Sequence, residues 1–374
     1  MRSIILLFAL LFSCSHALPL SDKSKTTTNT TGTCNGHASL CNQSYANVVY
    51  AGAHNSYAVG SGISDNQNLN ASQALVKGIR LLQNQGHDNS GIFNISSSSG
   101  NGTNGQNVTA AQAGQDNPSQ ISLCHTSCYL EDGGYLESWL AQAKSWLDVN
   151  PNEVITLLLT NPDHLPYTRW EAGLRYAGFN EINVWAPTNR SNFTRDQWPT
   201  LGDMISSGKR TVIAMDYEAN ETKLPWLLDE FAYMWENPYD QLSYPFNCSL
   251  DRGSKPQDKL YFMNHVKDVQ NFGISTPDKA NLNITNAQDG PNGVVETVDR
   301  CTKERAERPT YVLVDFFGVP ATTGVLAAMD QLNNVSITAP TRAGKSAARP
   351  SSHHPPLFPL FLFALSLPLA LSHL

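Results

Sequence analysis

The sequence predicts a single-domain α/β barrel. Short, continuous apolar runs recur along the chain, as in strands buried on both faces of a parallel sheet. Helical patterns alternate with them. No proline- or glycine-rich linker divides residues 45–336. A doubly wound open sheet is the alternative built from the same alternation.

The runs place strands at residues 48–51, 79–83, 121–124, 154–160, 211–215, 260–264 and 311–316. Helices are predicted at 135–149, 169–177, 201–206 and 322–333. In the first, Leu136, Trp139, Leu140, Ala143, Trp146 and Leu147 recur at helical spacing, and Asn150-Pro151 stops it. Both tryptophans belong to the core on this pattern. The apolar clusters at 226–228 and 231–235 read as packing. Residues 88–120, rich in Ser, Asn, Gly and Gln, read as a glycosylated insert loop with too little apolar surface to offset the entropy of ordering.

Both ends read as targeting signals. Arg2, the apolar run 4–12 and Ser15-His16-Ala17 make residues 1–17 a secretory signal peptide. Residues 347–374 hold a polar spacer and an apolar tail, shorter than the roughly 20 residues of a membrane span and interrupted by prolines. With Ser346 as the ω site, this is the pattern of a glycosylphosphatidylinositol (GPI) anchor, behind a flexible stalk at 337–346. Twelve sequons follow the same route: Asn29, Asn42, Asn70, Asn94, Asn101, Asn107, Asn189, Asn192, Asn220, Asn247, Asn283 and Asn334. The expected location is the extracellular face of the plasma membrane, with the outer leaflet as partner through the lipid.

Six cysteines remain after signal removal, an even number that suits an oxidising compartment. Sequence neighbourhood favours Cys34–Cys41 (within a flexible N-terminal segment, 18–44), Cys124–Cys128 and Cys248–Cys301. Zinc binding by Cys124, His125 and Cys128 is the competing reading. Trimming both ends drops two of 25 basic residues and none of 32 acidic ones, so the net charge of −7 becomes −9. An acidic surface argues against nucleic acid, whose phosphates demand Lys and Arg.

Barrel enzymes keep their chemistry at the C-terminal ends of strands. There the sequence offers His54, His125 and His265 on three separate strands. Imidazoles facing one mouth suit acid–base chemistry near neutrality. Asp315, ending the last strand, lies beside the first strand once a barrel closes, and could orient His54.

Ala53-His54-Asn55-Ser56-Tyr57 after a strand resembles the first histidine motif of the phosphatidylinositol-specific phospholipase C X-domain. Gly78-Ile79-Arg80, His125 in Leu123-Cys124-His125-Thr126-Ser127-Cys128, Glu153-Val154-Ile155-Thr156-Leu157 and Val312-Leu313-Val314-Asp315-Phe316-Phe317 resemble its later blocks, in order. The Asn264-His265 pair resembles the secreted or anchored PLC-like phosphodiesterases. The resemblance implies a distorted TIM barrel and cleavage of a phosphodiester or inositol-containing substrate. It implies His54 as general base, His125 as general acid and Asp315 as support to His54. Asn55, Gln83, Gln85, Asn264 and His265 are the candidate substrate-binding residues.

Phosphoryl transfer needs charge on the phosphoryl oxygens neutralised. The family places an arginine, or calcium with acidic ligands, near the end of strand two. This sequence has Gln83 and Gln85 there. No cofactor and no metal site are expected. Calcium through Asn55 is the alternative, with an incomplete ligand set. His87, Arg80 and Lys77 are candidate replacements for the missing charge, although odd offsets from Gln83 and Gln85 put Arg80 on the opposite strand face. Two further functions stay open. One is an impaired barrel that binds sugars or inositol phosphates at the surface. The other is a glycoside hydrolase using Asp163, Asp216 and Asp315.

Overall fold

The computed structural model describes residues 32–89, 117–125, 128, 131–271 and 273–335. The strands are β1 (Tyr50–Ala53), β2 (Leu81–Asp88), β3 (Ile121–Cys124), β4 (Asp132–Tyr135), β5 (Ile155–Thr160), β6 (Thr211–Met215), β7 (Leu228–Asp229), β8 (Met234–Glu236), β9 (Leu260–Asn264), β10 (Asp268–Asn271), β11 (Ile274–Pro277) and β12 (Tyr311–Val314). The helices are α1 (Ala71–Lys77), α2 (Leu136–Val149), α3 (Tyr167–Tyr176), α4 (Leu201–Ser206), α5 (Glu230–Tyr233), α6 (Leu282–Thr285), α7 (Val294–Arg305) and α8 (Val325–Leu332).

The parallel sheet runs β7-β6-β5-β2-β1-β12-β9-β8. Its two edge strands, β7 and β8, are joined by the four residues of α5 alone. So short a tether brings the edges close, and the sheet must curl. The result is an α/β half-barrel that no β7–β8 ladder closes among the described residues.

Side chains alternate across this sheet. Tyr50, Leu81, Leu158, Val212, Phe262, Tyr311 and Leu313 pack together inside the curl. Their neighbours Ala51, Leu82, Leu157, Ile213, Met263 and Val312 pack outward with Trp139, Leu140 and Trp170 of the helices. Gly52 is an inward position where a Cβ would stand 2.6 Å from Leu81 Cδ2 and 3.1 Å from Leu313 Cδ1, so glycine is what lets that layer fill.

One predicted strand plays a different part. β3 was expected in the barrel, but it pairs antiparallel with β2, from Gly86↔Leu123 to Asp88↔Ile121. The cause is the length of β2. Leu81 to Gln85 pair with β5, and the remaining residues overshoot the barrel. Their free backbone groups need partners, and β3, followed by β4, supplies them. The short strands β7 and β8 lie within or beside the clusters read as packing, and Trp226 and Trp235 are indeed buried.

The bridges Cys34–Cys41, Cys124–Cys128 and Cys248–Cys301 are all present. The zinc reading of Cys124 and Cys128 is thereby removed. Arg80 sits outside the barrel, its Nε 2.8 Å from Glu153 Oε2 and its guanidinium over Trp146. Of the sequons among the described residues, Asn42, Asn70, Asn189, Asn192, Asn247, Asn283 and Asn334 are exposed and Asn220 is half-buried. Asn29, Asn94, Asn101, Asn107, the signal peptide, the stalk, Ser346 and the C-terminal tail lie outside the described residues, as does most of the 88–120 loop. No helix among the described residues is long and apolar enough to cross a membrane.

Candidate active site

Extending the inward positions to the C-terminal strand ends gives His54, Gln83, Gln85, Thr160, Asp216, Glu236, Asn264 and Asp315. His54 and Asp315 directly continue β1 and β12, which pair up to Ala53↔Val314. The His54 amide extends that ladder to Val314 O at 3.0 Å. Its Nδ1–H donates to Asp315 Oδ1 at 2.8 Å. The chain then turns sharply at both places, with φ of 39° at Asn55 and 44° at Phe316. Asparagine tolerates such a backbone, whereas phenylalanine does not. Phe316 is held there by Asn66, whose carbonyl accepts its N–H at 2.7 Å. Asn286 Nδ2 donates to Asp315 O at 2.7 Å.

Burial works against the imidazolium of His54. Asp315, by charge and by hydrogen bond, outweighs it with help from Asp268 and Asp240, and its pKa rises above the usual 6.5. His125 reaches the same mouth on the antiparallel ribbon that β2 builds. Burial, then repulsion from His54 and lastly from His87, pushes its pKa down to about 4 against the pull of Asp315. The two imidazoles thus sit in one electrostatic field with their proton affinities driven apart, the arrangement that separates a base from an acid.

The other predicted residues divide. Gln83 Oε1 accepts from the Asn55 amide at 2.6 Å, while Nε2 donates to Thr160 Oγ1 and Asn84 O, both at 2.9 Å. Gln85 is half-buried on the same face of β2. Asn264 points inward, but its Nδ2 donates to Asn237 O at 2.9 Å and Glu236 Oε2 at 3.2 Å. His265 does not line the mouth, which corrects its place among the substrate-binding residues. Being one residue past Asn264, it faces outward, fully buried. There its Nε2–H donates to Thr285 O at 2.7 Å and its ring lies 4.6 Å from Phe246.

The donor set at the mouth bears on calcium. Asn55 Oδ1 is buried and unpartnered. Yet the oxygen of Gln83 is already engaged, and no group of three or more His, Cys, Asp or Glu among the described residues could hold a metal. These residues do not fit a hard divalent cation. Of the candidate replacements for positive charge, Lys77 and Arg80 precede β2 and therefore sit at the far end of the barrel. His87 is on the mouth side, with Nδ1 3.0 Å from Asp163 Oδ1. The glycosidase carboxylates are engaged elsewhere: Asp315 on His54, Asp163 on His87, and Asp216 Oδ1 on the amides of Asn161 and Tyr217.

Several site residues had no clear sequence signal. Asn66 and Gln67 fold back over the strand ends. Asp268 opens β10 with its pKa raised to about 7, by burial and then by Asp315. Arg252 grips Glu236 Oε2 through Nε (3.0 Å) and Nη2 (2.7 Å).

A family model, PI-PLC X 1, matches residues 40–109 and 103–333. The chain belongs to the PI-PLC X domain family. It is 36% identical over 287 residues to PI-PLC X domain-containing protein 1 of Arthroderma benhamiae, covering 76% of this chain and 84% of that one. An uncharacterized secreted protein of the same fungus is 35% identical over 330 residues, 85% of this chain and 67% of its own. Among solved structures, the phosphatidylinositol-specific phospholipase C of Listeria monocytogenes aligns with a TM-score of 0.47 at 16% identity, over 78% of this chain and 94% of its own. A mutant of the Staphylococcus aureus enzyme gives 0.49 at 12% identity, over 78% and 93%. Within this PI-PLC X chain, His54, His125 and Asp315 directly follow β1, β3 and β12.

Proposed function

We propose that this PI-PLC X domain protein is an extracellular, GPI-anchored phosphoric diester hydrolase acting on an inositol-containing phospholipid. The observation that carries the reading is the His54–Asp315 pair, 2.8 Å apart at the barrel mouth, with His125 in its field. An inositol hydroxyl attacks phosphorus as His54 Nε2 takes its proton. A P–O bond forms, the bond to the glycerol oxygen breaks, and His125 donates a proton to that oxygen. The product is a cyclic phosphate, which water opens with the two roles reversed.

The shifted proton affinities act on this division in two opposite ways. Asp315 makes His54 the stronger base, and burial makes the His125 imidazolium the stronger acid, so each transfer is favoured once both rings are in the required state. Both being correctly protonated is then a minority state in the free protein. An anionic phosphodiester between the rings stabilises the imidazolium of His125 and restores it. Surface location is supported by the targeting signals, the exposed sequons, three disulfides and the relative named as a secreted protein.

The test is ³¹P NMR of phosphatidylinositol vesicles with soluble protein lacking residues 347–374. Formation of a cyclic inositol phosphate supports the reading. No product, with or without calcium, sinks it. A second reading, a barrel that binds inositol phosphates without turnover, is favoured by one observation: both ends of the Gln83 amide are already bonded inside the protein.

A further inference from the structure

We infer that Asn66 is a positioning residue that sets the proton affinity of His54 through Asp315. The inference rests on the reading of His54 as a catalytic imidazole. Asn66 lies on the connection between β1 and α1 and is 2% exposed. Its Nδ2 donates at 2.8 Å to Asp315 Oδ1, the oxygen that also accepts from His54 at 2.8 Å. The same nitrogen stands 3.2 Å from His54 Nδ1. Its Oδ1 accepts from Asn55 Nδ2 at 3.2 Å. Its own N–H donates to Ala58 O at 3.1 Å, and its carbonyl takes the Phe316 amide at 2.7 Å. Beside it, Gln67 Nε2 donates to His54 O at 2.8 Å and Val314 O at 3.0 Å, tying the two strand ends together.

A buried amide costs free energy unless bonded, and an apolar side chain would fill this space as well. The amide therefore acts on what it touches. Donation to Asp315 Oδ1 spreads the carboxylate charge that stabilises the imidazolium. Amide hydrogens close to Nδ1 repel that same cation. Both effects lower the proton affinity of His54. They oppose Asp315 at the end of β12, Asp268 at the start of β10 and Asp240 after β8, and act in the same sense as burial; His125 after β3 is neutral in the range where His54 titrates. Asn66 is thus a counterweight to three carboxylates.

The experiment is an NMR titration of the His54 ring in wild type, Asn66→Leu and Asn66→Ala, alongside kcat/KM against pH on phosphatidylinositol. Losing this hydrogen bond predicts a His54 midpoint higher by roughly 0.7 pH unit, about fivefold in proton affinity. The alkaline limb of kcat/KM, which reports the higher free-enzyme pKa, moves up equally. With His54 as base, plateau kcat/KM falls about fivefold, the fold-change that shift implies. Asn66→Ala brings no overpacking and carries the same sign if the leucine variant folds poorly. An unchanged His54 midpoint in a folded variant makes Asn66 a packing residue and overturns the inference. Absence of turnover in wild type refutes the proposed function instead, and the NMR midpoint still decides the role of Asn66.

Discussion

His54 Nδ1 donates to Asp315 Oδ1 across 2.8 Å, although 261 residues separate them in sequence. Strand order makes the contact: β1 and β12 are neighbours, and each supplies the residue just past its last ladder position. Asp315→Asn keeps the shape and removes the charge. We expect kcat to fall roughly 10²–10⁴-fold. The alkaline limb of kcat/KM should move to lower pH, because the carboxylate that raises the His54 pKa is gone. Activity within a few-fold of wild type would show that the carboxylate is structural.

His87, held at 3.0 Å by Asp163, is the remaining mouth-side candidate to steady the phosphoryl oxygens. His87→Ala should lower kcat by about 10²-fold, the usual effect of losing one preorganised donor. Steady-state kinetics on a soluble inositol phosphodiester measures this. An unaltered kcat would place the stabilising group elsewhere.

The engaged Gln83 oxygen and the missing carboxylates predict indifference to calcium. Turnover in excess chelator should match turnover with millimolar calcium. Activation of tenfold or more by calcium would contradict the fit drawn from these side chains.

His265 gives a stability prediction. Burial lowers its pKa from 6.5 to about 4, so the unfolded chain binds its proton first as pH falls. Its contribution is complete above pH 6.5 and is lost as pH drops from there to about 4. The loss is on the order of 3 kcal/mol, from the free-energy equivalent of a pKa unit. His265→Gln should flatten the fall of denaturant-derived stability over that window. Parallel curves for the two proteins would mean that the ring is not buried neutral.

Much of the site was legible because barrel strands obey a period of two. The offset between Gln83 and Arg80 put the arginine on the outer face, where it meets Glu153. The same rule, applied to Asn264, would have turned His265 outward. β3 was misread because a run of Ile-Ser-Leu-Cys looks the same in either strand direction. Its pairing depends on how far β2 overshoots, which is a property of its partner. Asn66 sits in a connection and Asp268 opens the short hairpin strand β10, outside the barrel sheet, and nothing local tells either residue that it will return to the mouth. The disulfides followed sequence neighbourhood because each joins segments that the fold keeps close.

The most direct test is a double-mutant cycle on kcat for inositol phosphate release, using His54→Ala, His125→Ala and the pair. Two groups serving one transition state are strongly non-additive. We expect each single variant to lose about 10³-fold or more, and the pair to lose little beyond either one. Losses that multiply independently, or a single variant that keeps near wild-type turnover, would contradict the shared acid–base role of these two imidazoles.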